Sequence, residues 1–429
     1  MDQSRRTDLL DDLAWRGMIA DATDLGALQA ALDAGQITIY CGFDPTAPSL
    51  QFGNLVQLVT LRRFQDAGHR VIAVVGGATG LVGDPSGKSE ECVLNEESVI
   101  ATWVDRIRSQ VEGVLRFDGD NPALVANNLD WTGPMTVLGF LRDVGKHFTV
   151  SRMLAKEVVA TRLDAGISYT EFSYQVLQAN DYLELYRRHG CVLQTGGSDQ
   201  WGNLTAGVDL IRRVEGVTVH ALATPLITKA DGTKYGKTAA SSIWMDPAMT
   251  SPYAFHQYFL NQADADVGPL LRAFSFRTRE EIEALESALA DQPERREAQR
   301  VLAYELTALV HGSGAADGAL AAGEALFGSG DLRSLDATIL ETVVADLPRA
   351  NVAEPLPGLI DLLVVTGLSA SRGQARRTVV EGGAYLNNER VTDGEASPAA
   401  AAMLHGRWLI LRKGKRSLAV VEVTPAGVS

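Results

Sequence analysis

The amino-acid sequence predicts an α/β domain built on a parallel sheet, followed by an α-helical domain and a small α+β domain. Residues 37–64 predict a strand, a loop and a helix, because an apolar run enters a Pro-containing turn and an apolar-periodic stretch follows. Residues 70–80 form a second apolar run that ends at glycines. Helix-start signals recur in residues 251–312, and residues 356–423 combine helical stretches with short strand patterns.

The βαβ unit at residues 37–80 opens the sheet. Its second strand, RVIAVV, is apolar throughout, which is typical of a parallel strand buried on both faces. In such sheets ligands bind beyond the carboxyl ends of the strands. We therefore expect residues 40–44, 76–84 and 194–203 to converge on one site.

A lysine-bearing loop is predicted at residues 228–238, TKADGTKYGKT, directly after the apolar segment ATPLI. It places Lys229, Lys234 and Lys237 among glycines that can act as hinges. Flexible ammonium groups can close on the charge that develops on a nucleotide triphosphate during transfer. A solvated surface turn is the alternative interpretation, since lysine and glycine commonly share such loops.

The helical segment that follows carries its own boundaries. Ser251-Pro252 predicts a helix start, and Thr278 with Glu281 forms a capping-box pattern. The apolar periodicity of residues 294–311 ends at a glycine, which predicts a helix end there.

The C-terminal part is basic, although the whole chain carries a net charge of −14. Residues 372–416 contain nine basic and four acidic side chains, a local balance of +5. A basic segment on an acidic body favours a phosphate-binding face, and RGQARR places Arg372, Arg376 and Arg377 on neighbouring faces of one predicted helix. An ordinary solvated basic helix is the alternative. Residues 407–423 predict a closing hairpin about the turn KGK.

Composition excludes several classes of protein. The 429 residues suffice for about two to four domains. No stretch approaches the ~20 apolar residues of a membrane helix, so we expect a cytoplasmic protein without a membrane partner. Cys41, Cys92 and Cys191 are scattered and form no CxxC pattern, which argues against a disulfide framework or a zinc site. The histidines lack metal-ligand spacing, so we expect no metal site made of protein side chains.

Five segments resemble one known family. YCGFDPTAPSL, GGATGLVGDPSG, SYTEFSYQVLQANDY, GGSDQWGN and KADGTKYGKT occur in the order and at the spacing of the bacterial tyrosyl-tRNA synthetases, which are class I aminoacyl-tRNA synthetases. The resemblance extends from about residue 8 to about residue 423 and includes a C-terminal part similar to S4 RNA-binding modules. It implies a Rossmann-like nucleotide-binding catalytic domain, an α-helical anticodon-recognition domain and a small α+β S4 RNA-binding domain.

The resemblance also implies domain boundaries. These are a catalytic domain with a dimer-interface insertion at 1–226, a KMSKS-type loop and connection at 227–250, a helical domain at 251–325, a linker at 326–355 and an S4-like domain at 356–429. The interface would lie around residues 140–165, where the apolar and basic helix could equally be part of the core.

The implied reaction activates L-tyrosine with ATP to tyrosyl-AMP and then transfers the tyrosyl group to the 3′ end of tRNA(Tyr). It needs no protein nucleophile. Orientation and stabilisation of phosphate charge by lysines, backbone amides and Mg²⁺ carry the catalysis instead. The family acts as a homodimer.

The resemblance assigns roles residue by residue. Tyr40 and Asp181 would hold the phenolic hydroxyl of tyrosine, although without the family motifs Tyr40 would be interpreted as a buried aromatic. The other tyrosine contacts would be Asp84, Tyr174 and Gln178 at the ammonium group and Gln200 on the carboxylate side. The pyrophosphate contacts would be Thr46, Lys88, Lys234 and Lys237. The remaining ATP contacts would be Gly42, Asp44, Gly53, Gly197, Asp199, Ile227 and Lys229, and the tRNA contacts Arg372, Arg376 and Arg377.

The sequence departs from the family pattern at two ATP contacts. Gln51-Phe52-Gly53-Asn54 stands where the family has His-x-Gly-His, whose histidines contact ATP. The amide of Asn54 can donate a hydrogen bond as an imidazole does, whereas Gln51 cannot carry charge and forfeits roughly 1 kcal/mol of charge-assisted stabilisation. Glu91 is followed by Cys92, where the family usually has arginine. These changes predict weakened or retuned ATP chemistry.

Three functions therefore remain open at this point. The first is an active but atypical enzyme, such as a second copy that confers resistance to an inhibitor of the usual one. The second is a tyrosine-activating enzyme that serves a biosynthetic pathway. The third is a non-catalytic tRNA-binding homologue, against which the retained Asp199 and lysines argue. A tryptophan-specific relative is disfavoured, because Tyr40 and Asp181 form a phenol-binding pair.

Overall fold

The computed structural model describes residues 9–86, 95–155, 159, 166–233, 235, 242–327, 331–345, 347–414 and 417–424. The chain divides into two compact units. The first unit comprises Met1–Asp246 and Ala263–Pro293, and the second comprises Pro247–Gln262 and Glu294–Ser429. Among the described residues, no helix combines the length and the apolar character needed to cross a bilayer.

A six-stranded sheet organises the first unit. Its strands are β1 Asp21–Ala22, β2 Thr38–Phe43, β3 Arg70–Val75, β4 Leu124–Asn127, β5 Cys191–Gly197 and β6 His220–Thr224. Their order is β1-β6-β5-β2-β3-β4. Strands β2 to β6 pair in parallel, and the short β1 pairs antiparallel with β6 at one edge. The predicted βαβ unit and parallel sheet are thereby confirmed.

Helices pack against the sheet and make up much of the chain between its strands. In the first unit they are Leu9–Trp15, Leu25–Ala34, Phe52–Asp66, Thr79–Val82, Glu97–Val114, Leu129–Thr132, Val137–Asp143, Val150–Leu154, Tyr169–His189, Trp201–Glu215, Asp264–Phe274 and Arg279–Asp291. Across the two units, short 3-10 turns lie at Gly145–His147, Ser198–Gln200, Pro293–Arg295, Leu332–Ser334 and Ala400–Ala402.

Local sequence signals explain where the main helices begin and end. The helix Tyr169–His189 begins where the Ser168 side chain accepts a hydrogen bond from Glu171 N, and it ends at Gly190, whose φ of +61° is left-handed. The helix Arg279–Asp291 begins with the predicted capping box between Thr278 and Glu281. Apolar side chains of β3 and of Tyr169–His189 pack in one core cluster, which fixes this helix against the sheet.

The second unit combines helices with a five-stranded sheet. Its helices are Pro252–Leu260, Glu297–His311, Ser313–Phe327, Ala337–Ala345, Leu359–Val365 and Arg372–Val380. Its strands are β7 Arg349–Ala353, β8 Ala384–Leu386, β9 Glu389–Arg390, β10 Trp408–Lys413 and β11 Ser417–Thr424. Their order is β7-β11-β10-β8-β9, with β7 parallel to β11 and the other pairs antiparallel.

Two predictions made from the sequence concern this sheet. The closing hairpin is confirmed, since β10 and β11 pair antiparallel from Trp408↔Glu422 to Lys413↔Ser417. The stretch 326–355, predicted as a linker, contains the helix Ala337–Ala345 and contributes β7 to the sheet.

Candidate active site

A cavity of about 400 Å³ lies in the first unit, at the carboxyl ends of β2, β3, β5 and β6. Parallel strands deliver their following loops to this edge, as the sequence predicts. The predicted site residues that line the cavity are Tyr40, Gly42, Asp44, Thr46, Gln51, Gly53, Asn54, Asp84, Tyr174, Gln178, Asp181, Gly197, Asp199, Gln200 and Ile227.

Of the four lysines predicted to contact ATP, the structure describes one. Lys229 is described but does not line the cavity, and its Nζ lies 5.9 Å from the centre of the Tyr235 ring. Lys88, Lys234 and Lys237 lie outside the described residues. Cys92 also lies outside the described residues. The pyrophosphate contacts of these three lysines and the effect of the Glu91-Cys92 change on ATP chemistry therefore stay predictions.

One end of the cavity carries a buried phenol and a buried carboxyl group. The side chain of Tyr40 is 1% exposed, and its hydroxyl has no hydrogen-bond partner among the residues that the structure describes. Burial and the nearby Asp181 carboxylate raise the pKa of Tyr40 well above its ordinary value, so the phenol keeps its proton. An unpartnered buried hydroxyl of this kind is one that a bound ligand can satisfy.

Asp181 is held by two donors. Asn128 Nδ2 donates to its Oδ2 at 3.0 Å, and Trp131 Nε1 donates to its Oδ1 at 2.7 Å. Burial raises the pKa of Asp181 to about 7, against the opposing effect of these two hydrogen bonds. The carboxyl group is therefore oriented by its neighbours and poised to change charge near neutral pH.

Asn128 is a site residue that the sequence analysis missed. Its Oδ1 accepts from Ala78 N at 2.7 Å, and its Nδ2 donates to Thr79 Oγ1 at 2.9 Å as well as to Asp181. It directly follows β4, a short strand at the edge of the sheet. The available signal was that a polar residue after a parallel strand lies at the ligand-binding edge, but the four-residue strand LVAN was too weak a pattern to reveal it.

A second group of polar side chains contains two carboxylates. Tyr174 Oη donates to Asp44 Oδ2 at 2.7 Å, and Thr79 Oγ1 donates to Asp44 Oδ1 at 2.6 Å. Gln200 Nε2 donates to Asp84 Oδ2 at 2.7 Å. Burial, Asp44 and Asp84 raise the pKa of Tyr174 well above its ordinary value. The resemblance had assigned Asp44 to adenosine, and the structure joins it to a residue assigned to the amino-acid side.

Gln178 adds an acceptor to this group. Its Oε1 is buried and has no hydrogen-bond partner within the described part of the chain. Together with the carboxylates of Asp44 and Asp84, it gives this wall of the cavity an excess of acceptors over donors. Such a wall suits a ligand that donates several hydrogen bonds, as an ammonium group does.

Glycines make room at two points. A Cβ on Gly76 would lie 2.0 Å from Asp44 Oδ1, so a larger residue would displace the carboxylate. A Cβ on Gly53 would meet nothing within 4 Å, because this glycine borders the open cavity at the helix start. A ligand can therefore approach the helix backbone closely there.

The start of the helix Phe52–Asp66 forms another wall of the cavity. Gln51 N donates to Asn54 Oδ1 at 3.0 Å, which orients the carboxamide and leaves its Nδ2 as the donor. The first turn of a helix presents backbone N–H groups and the positive end of the helix dipole. This wall is therefore suited to bind anionic groups such as phosphates.

In the second unit, the three arginines predicted to contact tRNA lie on the exposed helix Arg372–Val380. Arg372 is paired with Asp361 and Glu395, and Arg376 is paired with Glu395. Arg377 makes no ion pair with a residue that the structure describes. Two of the three guanidinium groups are thus already engaged by carboxylates of the same unit.

Comparison with known proteins gives the family. A family model described as tRNA synthetases class I (W and Y) matches residues 32–328, and one described as the tyrosine–tRNA ligase SYY-like C-terminal domain matches residues 339–421. A tyrosine–tRNA ligase of Acidothermus cellulolyticus is 58% identical over 425 residues, which cover 97% of this chain and 99% of that relative.

Two further similarities agree with these matches. A tyrosine–tRNA ligase of Streptomyces griseus is 57% identical over 424 residues, covering 98% of this chain and 100% of the relative. The crystal structure of a C-terminally truncated mitochondrial tyrosyl-tRNA synthetase of Aspergillus nidulans has a TM-score of 0.69 at 28% identity, over 76% of this chain and 98% of that one. The chain therefore belongs to the class I tRNA synthetase family of tryptophan and tyrosine enzymes.

Proposed function

We propose that the protein is a tyrosine–tRNA ligase, which activates L-tyrosine with ATP to tyrosyl-AMP and transfers the tyrosyl group to the 3′ end of tRNA(Tyr). The observation that carries the proposal is the unpartnered hydroxyl of Tyr40 next to the oriented carboxyl group of Asp181. A phenolic hydroxyl both donates and accepts, so it satisfies this pair, whereas the indole of tryptophan only donates. The names of the relatives agree with this choice of amino acid.

The same pair accounts for rejection of phenylalanine. Without a hydroxyl on the ligand, Tyr40 and Asp181 would stay buried and without a ligand partner, which is costly. Sites built to bind a hydroxyl reject the analogue that lacks it by about 10⁴–10⁵, a rule for which tyrosyl-tRNA synthetases are themselves the standard example.

The other end of tyrosine fits the acceptor-rich wall. Asp84, Tyr174 and Gln178 would bind the ammonium group, with Asp44 supporting Tyr174 through the hydrogen bond to its hydroxyl. Gln200 would lie on the carboxylate side, where its bond to Asp84 orients its amide. The substrate carboxylate would then point towards the helix start at which the phosphates bind.

ATP would occupy the remaining part of the cavity. Gly42, Gly53, Gly197, Asp199 and Ile227 would surround the adenosine. The phosphates would meet the helix start with Gln51 and Asn54, together with Thr46, Lys88, Lys229, Lys234 and Lys237. Mg²⁺ would enter with the phosphates, since it keeps several waters and needs only one or two carboxylates, and it would neutralise phosphate charge there.

The chemistry then follows from orientation. The tyrosine carboxylate attacks the α-phosphorus of ATP, and the bond to pyrophosphate breaks. In the second step a terminal ribose hydroxyl of the tRNA attacks the acyl carbon, and AMP leaves. The residues of this chain hold the reactants in line and stabilise the charge on the phosphate oxygens, which is where such reactions gain most of their rate.

We infer from the neutral Gln51 side chain that the enzyme is active and that its ATP chemistry is altered. It replaces a group that can carry charge, while the acceptor-rich wall and the Tyr40–Asp181 pair remain complete. A specialised second copy, in resistance or in a biosynthetic pathway, would use the same site and differ only in where the tyrosyl group goes.

A homodimer is the assembly that we propose. In the predicted interface region, 140–165, Val150 is 63% exposed on the helix Val150–Leu154, and just before that region Val137 is 75% and Leu138 80% exposed on the helix Val137–Asp143. Large apolar side chains with this exposure on neighbouring helices mark an interaction surface. Because its substrates are ATP and tRNA, we place the enzyme in the cytoplasm.

Tyrosine-dependent exchange between ATP and pyrophosphate tests the proposal, with phenylalanine and tryptophan as controls. We expect exchange with tyrosine alone, faster exchange in the Gln51→His variant, and charging of tRNA(Tyr) by the wild type. Exchange with tryptophan instead would contradict the choice of amino acid. No exchange at saturating ATP and Mg²⁺ would leave a non-catalytic tRNA-binding protein.

A further inference from the structure

An aromatic contact joins the lysine-bearing segment to the helix start. The ring of Tyr235 lies edge-on to that of Phe52, with centroids 6.3 Å apart and an angle of 72° between their planes. Phe52 in turn packs against Phe274 at 4.7 Å. Tyr235 is 6% exposed and Phe52 is fully buried, so both rings are held in place from several sides.

Tyr235 is also tied to the chain that leads into this segment. Tyr235 N donates to Ile227 O at 3.2 Å, and Ala230 N donates to Asp266 Oδ1 at 2.7 Å. Gly232 N donates to Lys229 O at 2.8 Å, so the described residues from Ile227 to Tyr235 form a closed turn. This turn brings Tyr235 back to the level of Ile227, at the edge of the cavity.

The chain beyond the lysines returns to the same helix start. Phe52 N donates to Ile243 O at 2.9 Å, and Met245 N donates to Leu50 O at 2.9 Å. Between these bonds, Gln51 and Trp244 form an antiparallel β-bridge. The chain is therefore held to residues 50–52 at two points, at Tyr235 and again at residues 243–245.

We propose that Phe52 and Tyr235 are positioning residues for formation of tyrosyl-AMP. Lys234 is covalently joined to Tyr235, and Lys237 follows two residues later, so the length of the chain alone keeps their Cα atoms within about 4 and about 7 Å of that of Tyr235. A segment confined in this way loses less conformational entropy when its ammonium groups bind the pyrophosphate in the transition state. The inference rests on the pyrophosphate role proposed above for these lysines.

The physical size of the contact sets the expected effect. Edge-to-face aromatic pairs contribute enough for about a two- to tenfold change in an equilibrium or rate constant. Tyr235→Leu removes the ring and is expected to lower the rate constant of tyrosyl-AMP formation at saturating ATP and tyrosine by that factor. The dissociation constant of tyrosine should stay unchanged, because Tyr235 does not belong to the polar groups that would hold the amino acid.

Single-turnover formation of tyrosyl-AMP by the full-length protein is the measurement, together with tyrosine binding by equilibrium dialysis and thermal unfolding. Tyr235→Phe keeps the ring and should restore the wild-type rate constant. Tyr304→Leu, which removes a tyrosine of the second unit bonded to Asp317, is the matched control and should leave the rate constant unchanged. In combination with Phe52→Leu, the loss caused by Tyr235→Leu should shrink, because the contact is already absent.

Three results would overturn the inference. One is an unchanged rate constant in Tyr235→Leu, and another is a double variant whose loss equals the product of the single losses. The third is a fall in tyrosine affinity and melting temperature that parallels the fall in rate, since that would make the contact a general element of folding. Lys237→Ala separates the two proposals. If the wild type forms tyrosyl-AMP and the Lys237→Ala variant forms it at the same rate, the lysine role on which the inference depends is refuted.

Discussion

Tyrosine binding should depend on pH through Asp181. Burial raises the pKa of this carboxyl group from 3.8 to about 7, and we propose that its ionised form accepts the hydrogen bond from the substrate phenol. The folded, ligand-free protein then carries the neutral form below pH 7 and the charged form above it. If only the charged form binds tightly, the dissociation constant of tyrosine falls by about tenfold between pH 6 and pH 8, and changes tenfold per pH unit below about pH 6.

The assay is equilibrium binding of tyrosine from pH 5.5 to 8.5 without ATP. Asp181→Asn cannot ionise, so its affinity should be lower and should not change over this range. Asn128→Ala removes a donor to Asp181 that lowers its pKa, so the midpoint of the transition should move to higher pH. The ammonium and carboxylate groups of free tyrosine ionise outside this range, and no histidine lines the cavity formed by the described residues.

Three outcomes would contradict this reasoning. A dissociation constant that stays flat from pH 6 to pH 8 in the wild type would mean that the carboxyl group remains charged despite its burial. A transition that persists unchanged in Asp181→Asn would assign the pH dependence to another group. An Asn128→Ala midpoint below that of the wild type would contradict the sign of the hydrogen-bond effect.

Three further predictions concern other parts of the molecule. Leu138→Asp should convert the proposed dimer to a monomer in sedimentation velocity, whereas Val380→Asp, equally exposed at 80%, should not; a monomeric wild type would contradict the proposed assembly. Glu395→Gln should raise tRNA affinity by about two- to fivefold at low salt, because it releases Arg376 from an exposed ion pair, and an unchanged affinity would show that the pair does not compete with phosphate. His256 is buried, and burial lowers its pKa below 6.5. The stability that its neutral form contributes is therefore fully present above pH 6.5 and is lost as the pH falls below it. His256→Gln should make the melting temperature depend less on pH between pH 7 and pH 5, and a variant whose melting temperature falls in parallel with that of the wild type would refute the assignment.

The sequence was sufficient where the signal is local. The capping box at Thr278 and the helix start at Ser251 are confirmed because each depends on residues within one turn. The convergence of residues 40–44, 76–84 and 194–203 follows from a general property of parallel sheets and is confirmed by the lining of the cavity.

The pairings inside the site could not be predicted in this way. The bond from Tyr174 to Asp44 joins residues 130 positions apart, and the bond from Asn128 to Asp181 spans 53 positions. Such contacts depend on the register of strands and on the rotation of a long helix about its axis, which periodicity leaves undetermined. Motif resemblance therefore named residues that line the cavity without indicating which of them contact each other.

The departure at Gln51 has a limited effect on the frame of the site, and the structure gives the reason. Two of the contacts that fix this position are made by its backbone, which bridges to Trp244 and donates to Asn54 Oδ1, so they do not depend on the side-chain type, whereas the Gln51 side chain itself takes part in a capping box with Asn54. Replacement of an imidazole by a carboxamide consequently changes charge and reach towards the phosphates while the helix start stays in place. The cost should thus appear in the rate constant of adenylate formation and in ATP affinity, and the tyrosine site that we propose at Tyr40 and Asp181 should be unaffected.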